Sequence, residues 1–332
     1  MEKIVVVGCG SWGTALALTL ARKKCYEIHM WEHKKEVAEE IQRTRENKLL
    51  KGVTLPENIY ITSDKENLLK DAKAVIFSIP SQALRSVVST FADQLRSDLI
   101  IVNTGKGLEI SSEMRLSEVI KDEILGKYHK NIVVLSGPTH AEEVANDLPT
   151  TIVASGQLEK AKIIQEIFNS QKFRVYVNED MIGVELGGAV KNCIALGAGI
   201  ADGLKFGDNT KAALITRGIR EMIRFGEACG ANPKTFNGLS GIGDLIVTCA
   251  SKHSRNRHVG EKLGQGKTLK EILEEMEMVA EGVPTVKAVH KKAEKLNVSM
   301  PITEAVYKIL YEDKKATEMV EYLMSRELKE EF

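Results

Sequence analysis

The chain reads as an α/β protein: an N-terminal doubly wound, Rossmann-type parallel sheet followed by a C-terminal all-helical domain. Three observations predict this. Short β-branched runs alternate with helical stretches up to about Val177, a glycine-rich turn joins the first run to the first helix, and strand signals stop after Asp180. A length of 332 residues suits two domains. The change of pattern divides them into 1–180, built on the sheet, and 181–332, built from helices.

Lys3-Ile-Val-Val-Val7 is long enough for one buried strand and too short for a membrane span. It runs into Gly8-Cys-Gly10-Ser-Trp-Gly13 and then into the helical Thr14–Ala21. This is G-x-G-x-x-G with a strand before it and a helix after it, the context that makes the pattern specific for a dinucleotide. Gly8 permits the tight turn, Gly10 lets the backbone approach a pyrophosphate, and Gly13 lets the helix pack close to the strand. The phosphates would sit on the free N–H groups at the helix start.

The second strand, Tyr26–Trp31, ends at Glu32, where a carboxylate would hold a ribose 2′-hydroxyl and repel a 2′-phosphate. His33, Lys34 and Lys35 follow at once, and any of them could pair with that phosphate. The cofactor is therefore read as NAD(P), open between NADH and NADPH. Further strands are expected at 59–62, 74–79, 99–102, 132–135, 151–154 and 173–177. Helices follow from Gly183 onward, broken at Asn232-Pro233, at the Gly238–Gly243 turns and at Gly282-Val-Pro284. No flexible linker separates the two parts. A helical domain packed over such a sheet makes a cleft, and ligands sit off the carboxyl ends of the strands.

One lysine stands alone in the helical part. Between Glu185 and Asp202 the only charge is Lys191. An unpaired ammonium taken out of water loses solvation, and burial lowers its pKa toward the range where a general acid/base works. In a helix, Gly187 and Gly188 lie one turn before it on the same face, with Ile194 and Ala195 one turn after. Three of these four are small enough to admit a substrate or another backbone. The plainer reading is a lysine that snorkels its amine to solvent from a core helix.

The loops leaving the strand ends carry matching chemistry. After Val102 comes Asn103-Thr-Gly-Lys106-Gly-Leu108, a lysine between glycines that can reach the cleft. After Leu135 comes Ser136-Gly137-Pro138-Thr139-His-Ala141-Glu142, in which Thr139 and Glu142 have the spacing of a capping box. In the helical part, Gly241-Ile-Gly-Asp244-Leu precedes Ser254-Arg255-Asn256-Arg257-His258, where a forked guanidinium suits a phosphate held at two oxygens. Each of these taken alone is more often a solvated turn.

Composition excludes other classes. Hydrophobic content of 43% and charged content of 28% are ordinary for a globular chain, and the net charge of zero leaves no footprint for nucleic acid or a membrane surface. Five scattered cysteines without a C-x-x-C pair, and a strand at the very start in place of a signal peptide, point to a cytoplasmic protein with reduced thiols. No metal-ligand spacing stands out.

The chain resembles the bacterial NAD(P)-dependent sn-glycerol-3-phosphate dehydrogenase family. The resemblance rests on Gly8-Cys-Gly-Ser-Trp-Gly-Thr-Ala-Leu-Ala, Thr104-Gly-Lys-Gly-Leu-Glu, Ser136-Gly-Pro-Thr, Gly183-Val-Glu-Leu-Gly-Gly-Ala-Val-Lys-Asn, Ala212-Ala-Leu-Ile-Thr-Arg-Gly, Gly241-Ile-Gly-Asp-Leu, Ser254-Arg-Asn-Arg, Leu263-Gly-Gln-Gly, Val279-Ala-Glu-Gly and Met300-Pro-Ile-Thr-Glu, in order over nearly the full length.

The resemblance implies hydride transfer between NAD(P)H and dihydroxyacetone phosphate or sn-glycerol 3-phosphate, supplying glycerol 3-phosphate for glycerophospholipid synthesis. Lys191 would be the proton acceptor. Lys106, Gly137, Thr139, Asp244, Ser254, Arg255 and Asn256 would contact substrate. Ser11, Trp12, His33, Lys34, Lys106, Ala141, Arg255, Val279 and Glu281 would contact cofactor. Glu32 departs from the small residue the family often has there, which tilts the expectation from NADP toward NAD. Two rival readings are a two-domain dehydrogenase for small hydroxy acids and a non-catalytic NAD(P) sensor, since fold alone does not settle function. A homodimer is the commonest expectation for assembly.

Overall fold

Eight strands form one sheet in the computed structural model, which describes residues 1–276, 278–328, 330 and 331. They are β1 (Glu2–Val7), β2 (Tyr26–Trp31), β3 (Ile59–Thr62), β4 (Ala72–Phe77), β5 (Ile100–Asn103), β6 (Ile132–Ser136), β7 (Thr150–Gly156) and β8 (Phe173–Asn178). The order β3-β2-β1-β4-β5-β6-β7-β8 reverses direction between β1 and β4, and a doubly wound sheet binds its ligand outside the strand ends at such a switch point. Ile4, Val5, Val6 and Val7 are all fully buried, because helices cover both faces of β1. Ile4 and Val6 join the core on one face, Val5 and Val7 the core on the other, as side chains alternate along a strand.

The expectation of a parallel sheet holds from β1 to β6 and fails beyond. β7 runs antiparallel to β6, pairing Val133 with Gly156 and Ser136 with Val153, and β8 is parallel to β7. The connection decides the direction. Segment 137–149 holds only the short α5 (Ala141–Ala145) and returns the chain beside β6, whereas a parallel neighbour needs a full crossover. The eleven-residue α6 (Leu158–Phe168) supplies such a crossover between β7 and β8.

The other helices of this half are α1 (Ser11–Ala21), α2 (Lys35–Thr44), α3 (Leu84–Phe91) and α4 (Leu116–Glu123). α1 begins three residues earlier than its apolar run, so Gly13 lies inside it. There a Cβ would strike the Gly8 carbonyl, which is the close helix–strand approach the third glycine allows. β4 stops at Phe77, short of the expected 79, and frees Ser78 and Ile79 to line the cleft.

Among the described residues no strand follows β8. The helices are α7 (Met181–Gly203), α8 (Gly207–Ala228), α9 (Asp244–Ala250), α10 (Arg255–Gly264), α11 (Leu269–Glu274), α12 (Gly282–Lys295), α13 (Pro301–Tyr311) and α14 (Ala316–Met324). Asp180 caps α7 by accepting from the Gly183 amide at 2.9 Å. Every residue of α7 from Gly183 to Ala201 is buried, because the other helices and the sheet surround it. A membrane-length apolar helix is thus the centre of this half, with 89% of its most apolar window inside the protein. α10 lies against it backbone to backbone: a Cβ on Gly260 would strike the Leu196 carbonyl.

Candidate active site

Lys191 sits mid-helix in α7 and is 5% exposed, so it does not snorkel to solvent. Nor is it unpaired, as the sequence suggested. Its Nζ donates to a carboxylate oxygen of Asp244 and, at 2.6 Å, to the Thr248 hydroxyl. The partner was hidden in sequence because it comes from a different helix, 53 positions away. Burial lowers the lysine's pKa to about 8; Asp244 pulls the other way, and the Lys106 ammonium adds to the lowering. The small neighbours of Lys191 admit protein: the Ser240 carbonyl packs onto Gly187, and Ser136 and the Lys106 stem onto Gly188.

Asp244 is fully buried and opens α9. A wide helical turn, Leu239–Gly243, delivers it. Gly241 breaks that turn at φ −101°, ψ −105°, and the Phe236 carbonyl leaves no room there for a Cβ. The second oxygen of Asp244 accepts from Lys106 Nζ at 2.7 Å. Lys106 also donates to the Gly137 carbonyl at 2.8 Å, with the Thr139 hydroxyl at 3.4 Å. One carboxylate therefore joins two ammonium groups, one from each half of the molecule. A buried carboxylate so placed offsets part of the cost of burying both cations.

The expected capping box is absent. α5 starts at Ala141 with His140 at its N-cap, and the Thr139 hydroxyl donates to the Gly137 carbonyl at 3.1 Å. Thr139 is turned back toward its own loop and Lys106, which removes it from the helix end.

A single cavity is walled by the glycine turn and α1 start (Gly10, Ser11, Trp12), by Lys106, Thr139 and Ala141, by Lys191, and by Ser254, Arg255, Asn256, Val279 and Glu281. The site suits a dinucleotide. No side chain caps the N-terminus of α1, a Cβ on Gly10 would meet nothing within 4 Å, and the buried Trp12 indole N–H has no partner. Unsatisfied donors on a cavity wall are what pyrophosphate and ribose oxygens require. Gly8 holds φ +109° at the turn and faces the Ser78 backbone.

Glu32, His33 and Lys34 lie outside the lining of this cavity, at the end of β2. The Glu32 carboxylate accepts from the Lys34 amide at 3.1 Å and pairs with His33 Nδ1 at 2.8 Å. Glu281 is half-buried and accepts from the Ser81 amide at 3.0 Å and from the Ser81 hydroxyl. That contact ties the start of α12 to the loop after β4. Burial raises the Glu281 pKa against these bonds and the nearby Arg255.

At the far end, Ser254 caps α10 by accepting from the Arg257 amide at 3.2 Å, which leaves its own proton free to donate. Arg255 is exposed and donates to the Val279 carbonyl at 3.0 Å. Asn256 bridges the Asn192 side chain at 2.9 Å and the Gly282 amide at 2.8 Å. Arg257, part of the same basic cluster in sequence, is turned away to Asp202 at 2.6 Å.

Several lining residues escaped the sequence reading, Leu49, Pro80 and Met278 among them, and three more bear on the chemistry. Thr248 follows Asp244 by one helical turn, a signal visible only once Asp244 is tied to Lys191. His140 sits between two residues that were singled out, and His253 just before Ser254.

Two family models match the chain: the NAD-dependent glycerol-3-phosphate dehydrogenase N-terminus over residues 3–162 and the C-terminus over 180–321. The glycerol-3-phosphate dehydrogenase (NAD(P)+) of Chlorobium phaeobacteroides is 50% identical over 99% of this chain and 99% of its own. That of Bacillus licheniformis is 50% identical over 98% of this chain and 95% of its own. A crystal structure of the Coxiella burnetii glycerol-3-phosphate dehydrogenase superposes with a TM-score of 0.92 at 37% identity, covering 98% of this chain and 99% of that one. A ketopantoate reductase from Ralstonia eutropha, at 14% identity and a TM-score of 0.64, shares the fold.

Proposed function

The chain belongs to the NAD-dependent glycerol-3-phosphate dehydrogenase family, and from that premise we propose which of its residues carry out each part of the reaction. It is an NAD(P)-dependent oxidoreductase that moves hydride reversibly between NAD(P)H and dihydroxyacetone phosphate or sn-glycerol 3-phosphate. The nicotinamide, when bound, gives or takes the hydride at C2 of the substrate.

Lys191 handles the proton. In oxidation its neutral amine takes the C2 hydroxyl proton, and in reduction its ammonium returns one to the C2 oxygen. A pKa of about 8 keeps both forms accessible near neutral pH, and this burial-tuned lysine on the cavity wall is the observation that carries the assignment. Asp244 holds Lys191 and Lys106 in register, with Thr248 fixing the direction of the Lys191 amine. Lys106, with Gly137 and Thr139 beside it, sets positive charge next to the substrate oxygens. Arg255, the Ser254 hydroxyl and Asn256 at the start of α10 hold the phosphate, supported by their place at the positive end of that helix on the cavity wall.

Gly8, Gly10, Ser11, Trp12 and Gly13 hold the dinucleotide phosphates, with Ala141, Val279 and Glu281 along its length. Glu32 at the end of β2 takes the ribose diol, with His33 and Lys34 as the alternative contacts for a 2′-phosphate. We place the domain boundary at 180/181, supported by β8 ending at Asn178 and α7 starting at Met181. A cytoplasmic setting is supported by five free thiols. A homodimer is the proposed assembly, and glycerophospholipid synthesis the proposed use of the product.

The test is initial-rate oxidation of NADH and of NADPH with dihydroxyacetone phosphate, on wild type and Lys191→Met. A variant that still binds cofactor but is slowed by roughly 10²-fold or more supports the assignment. A variant at the wild-type rate removes Lys191 from the chemistry.

A further inference from the structure

Lys191 gains or loses one proton in every turnover, yet it is 5% exposed and held by Asp244 and Thr248. The proton therefore needs a path through side chains while the site is filled.

Two histidines stand on that wall. His140 comes from the turn between β6 and α5, and His253 from the turn between α9 and α10, so one belongs to each half of the molecule. Their ring centroids are 5.8 Å apart with the planes inclined by 52°. Both line the cavity with Lys191. His140 Nε2 is buried and has no hydrogen-bond partner, whereas His253 is exposed. A histidine used only for packing normally has its buried ring nitrogens satisfied. Here one is left without a partner, in a ring that lines the cavity.

We propose that His140 and His253 form the route by which a proton passes between Lys191 and solvent during turnover. In oxidation, the Lys191 ammonium gives its proton to His140 Nε2, and the Nδ1 proton of the resulting imidazolium passes to His253, which releases a proton to water. Between turnovers, when the site is open to water, His140 gives up its Nε2 proton and takes one at Nδ1, which restores its starting tautomer. In reduction the transfers run inward. One proton crosses per hydride moved, and no redox partner beyond NAD(P) is needed.

The electrostatics suit a transient carrier. The charged groups acting on His140 are Lys191, Glu143, Lys106 and Glu142, and burial followed by the Lys191 ammonium lowers its pKa below the usual 6.5. At neutral pH the ring is therefore uncharged and able to accept.

The inference rests on Lys191 as the acid/base, and the test separates the two. Wild type, Lys191→Met, His140→Phe and His253→Asn are assayed in dilute buffer and again with added imidazole. For His140→Phe, kcat should fall by about tenfold or more, with KM for substrate and the NADH dissociation constant unchanged. The solvent isotope effect should grow, the isotope effect from deuterated NADH should shrink, and imidazole should restore the rate. His253→Asn, at an exposed position that does not threaten folding, should show a smaller loss with the same rescue. In cofactor-free protein, the His140 imidazole resonance should titrate at higher pH once Lys191 is Met. Unchanged kcat in both histidine variants, or a loss that imidazole does not restore, overturns the relay while leaving Lys191 in place. A Lys191→Met enzyme at full rate overturns both.

Discussion

α7 buries two charged side chains, Glu185 and Lys191, less than two turns apart, and they are used differently. Glu185 accepts from the Arg115 guanidinium, the Ser117 amide at 2.8 Å and the Ser117 hydroxyl at 2.5 Å. Its lone pairs are taken by the protein, and it lines no part of the cavity. Lys191 is equally buried and also has a counter-ion, but it lines the cavity wall. Burial raises the Glu185 pKa and lowers that of Lys191, disfavouring the charged form in both. A buried charge thus becomes chemistry only where its surroundings leave one direction open to a ligand; closed on all sides, it is an interior joint.

The sharpest way to break this distinction is Asp244→Asn. Without the carboxylate, Lys106 and Lys191 repel each other and the Lys191 pKa falls further, so kcat should drop by roughly 10²–10⁴. The pH limb for oxidation should also move to lower pH. A variant that loses stability but keeps its rate would make Asp244 another joint. Glu185→Gln should do the reverse, leaving Arg115 short of its counter-ion and costing about 3–5 kcal/mol in denaturant unfolding. The rate per folded molecule should be unchanged.

Cofactor choice tests whether Glu32 acts on a ligand or only on its own loop. Glu32→Ser should raise the NADPH-to-NADH ratio of kcat/KM by roughly 10–100-fold, the equivalent of one charge-assisted contact. An unchanged ratio would leave Glu32 as a brace for His33 and the Lys34 amide.

The pH profile of the wild type follows from the sign of the Lys191 shift. Oxidation needs the neutral amine and should rise through pH about 8, while reduction needs the ammonium and should fall through the same value. Profiles that move together would exclude a shared acid/base.

The smallest effect belongs to a third buried charge. Glu221 accepts from the Ile302 and Thr303 amides at the start of α13, and burial raises its pKa from 4.5 to about 7. Because the folded protein holds this proton longer than the unfolded chain, its contribution to stability is full below pH 4.5 and is lost as pH rises to about 7. Denaturation midpoints across that range should show the fall in wild type and lack it in Glu221→Gln.

Much of this was legible in the chain. Strand, glycines and helix stand next to one another in sequence, so β1, the turn and α1 could be read directly. Lys191 was conspicuous because its helix carries no other charge between Glu185 and Asp202. What stayed hidden depends on partners distant in sequence. Asp244 reveals itself as the counter-ion of Lys191 only when α7 and α9 are packed. Arg257 reads as one more phosphate ligand until Asp202 turns it away. Thr139 has the spacing of a helix cap, but spacing cannot show that Lys106 and Gly137 engage its hydroxyl first. The reversal at β7 was equally invisible, since apolar runs carry no sign of strand direction.

That reversal has a consequence for where the chemistry falls. Because β7 and β8 run downward, the chain leaves the sheet at Asn178 on the edge remote from the cofactor turn, and α7 must climb back. From Asp180 to Lys191 a helix rises about 16 Å, close to the height of a five-residue strand. The ascent brings Gly188 level with Ser136 at the top of β6 and sets Lys191 just above it. Two inverted strands thus act as a lowered starting step, and the sheet itself gauges the height at which the amine meets its substrate.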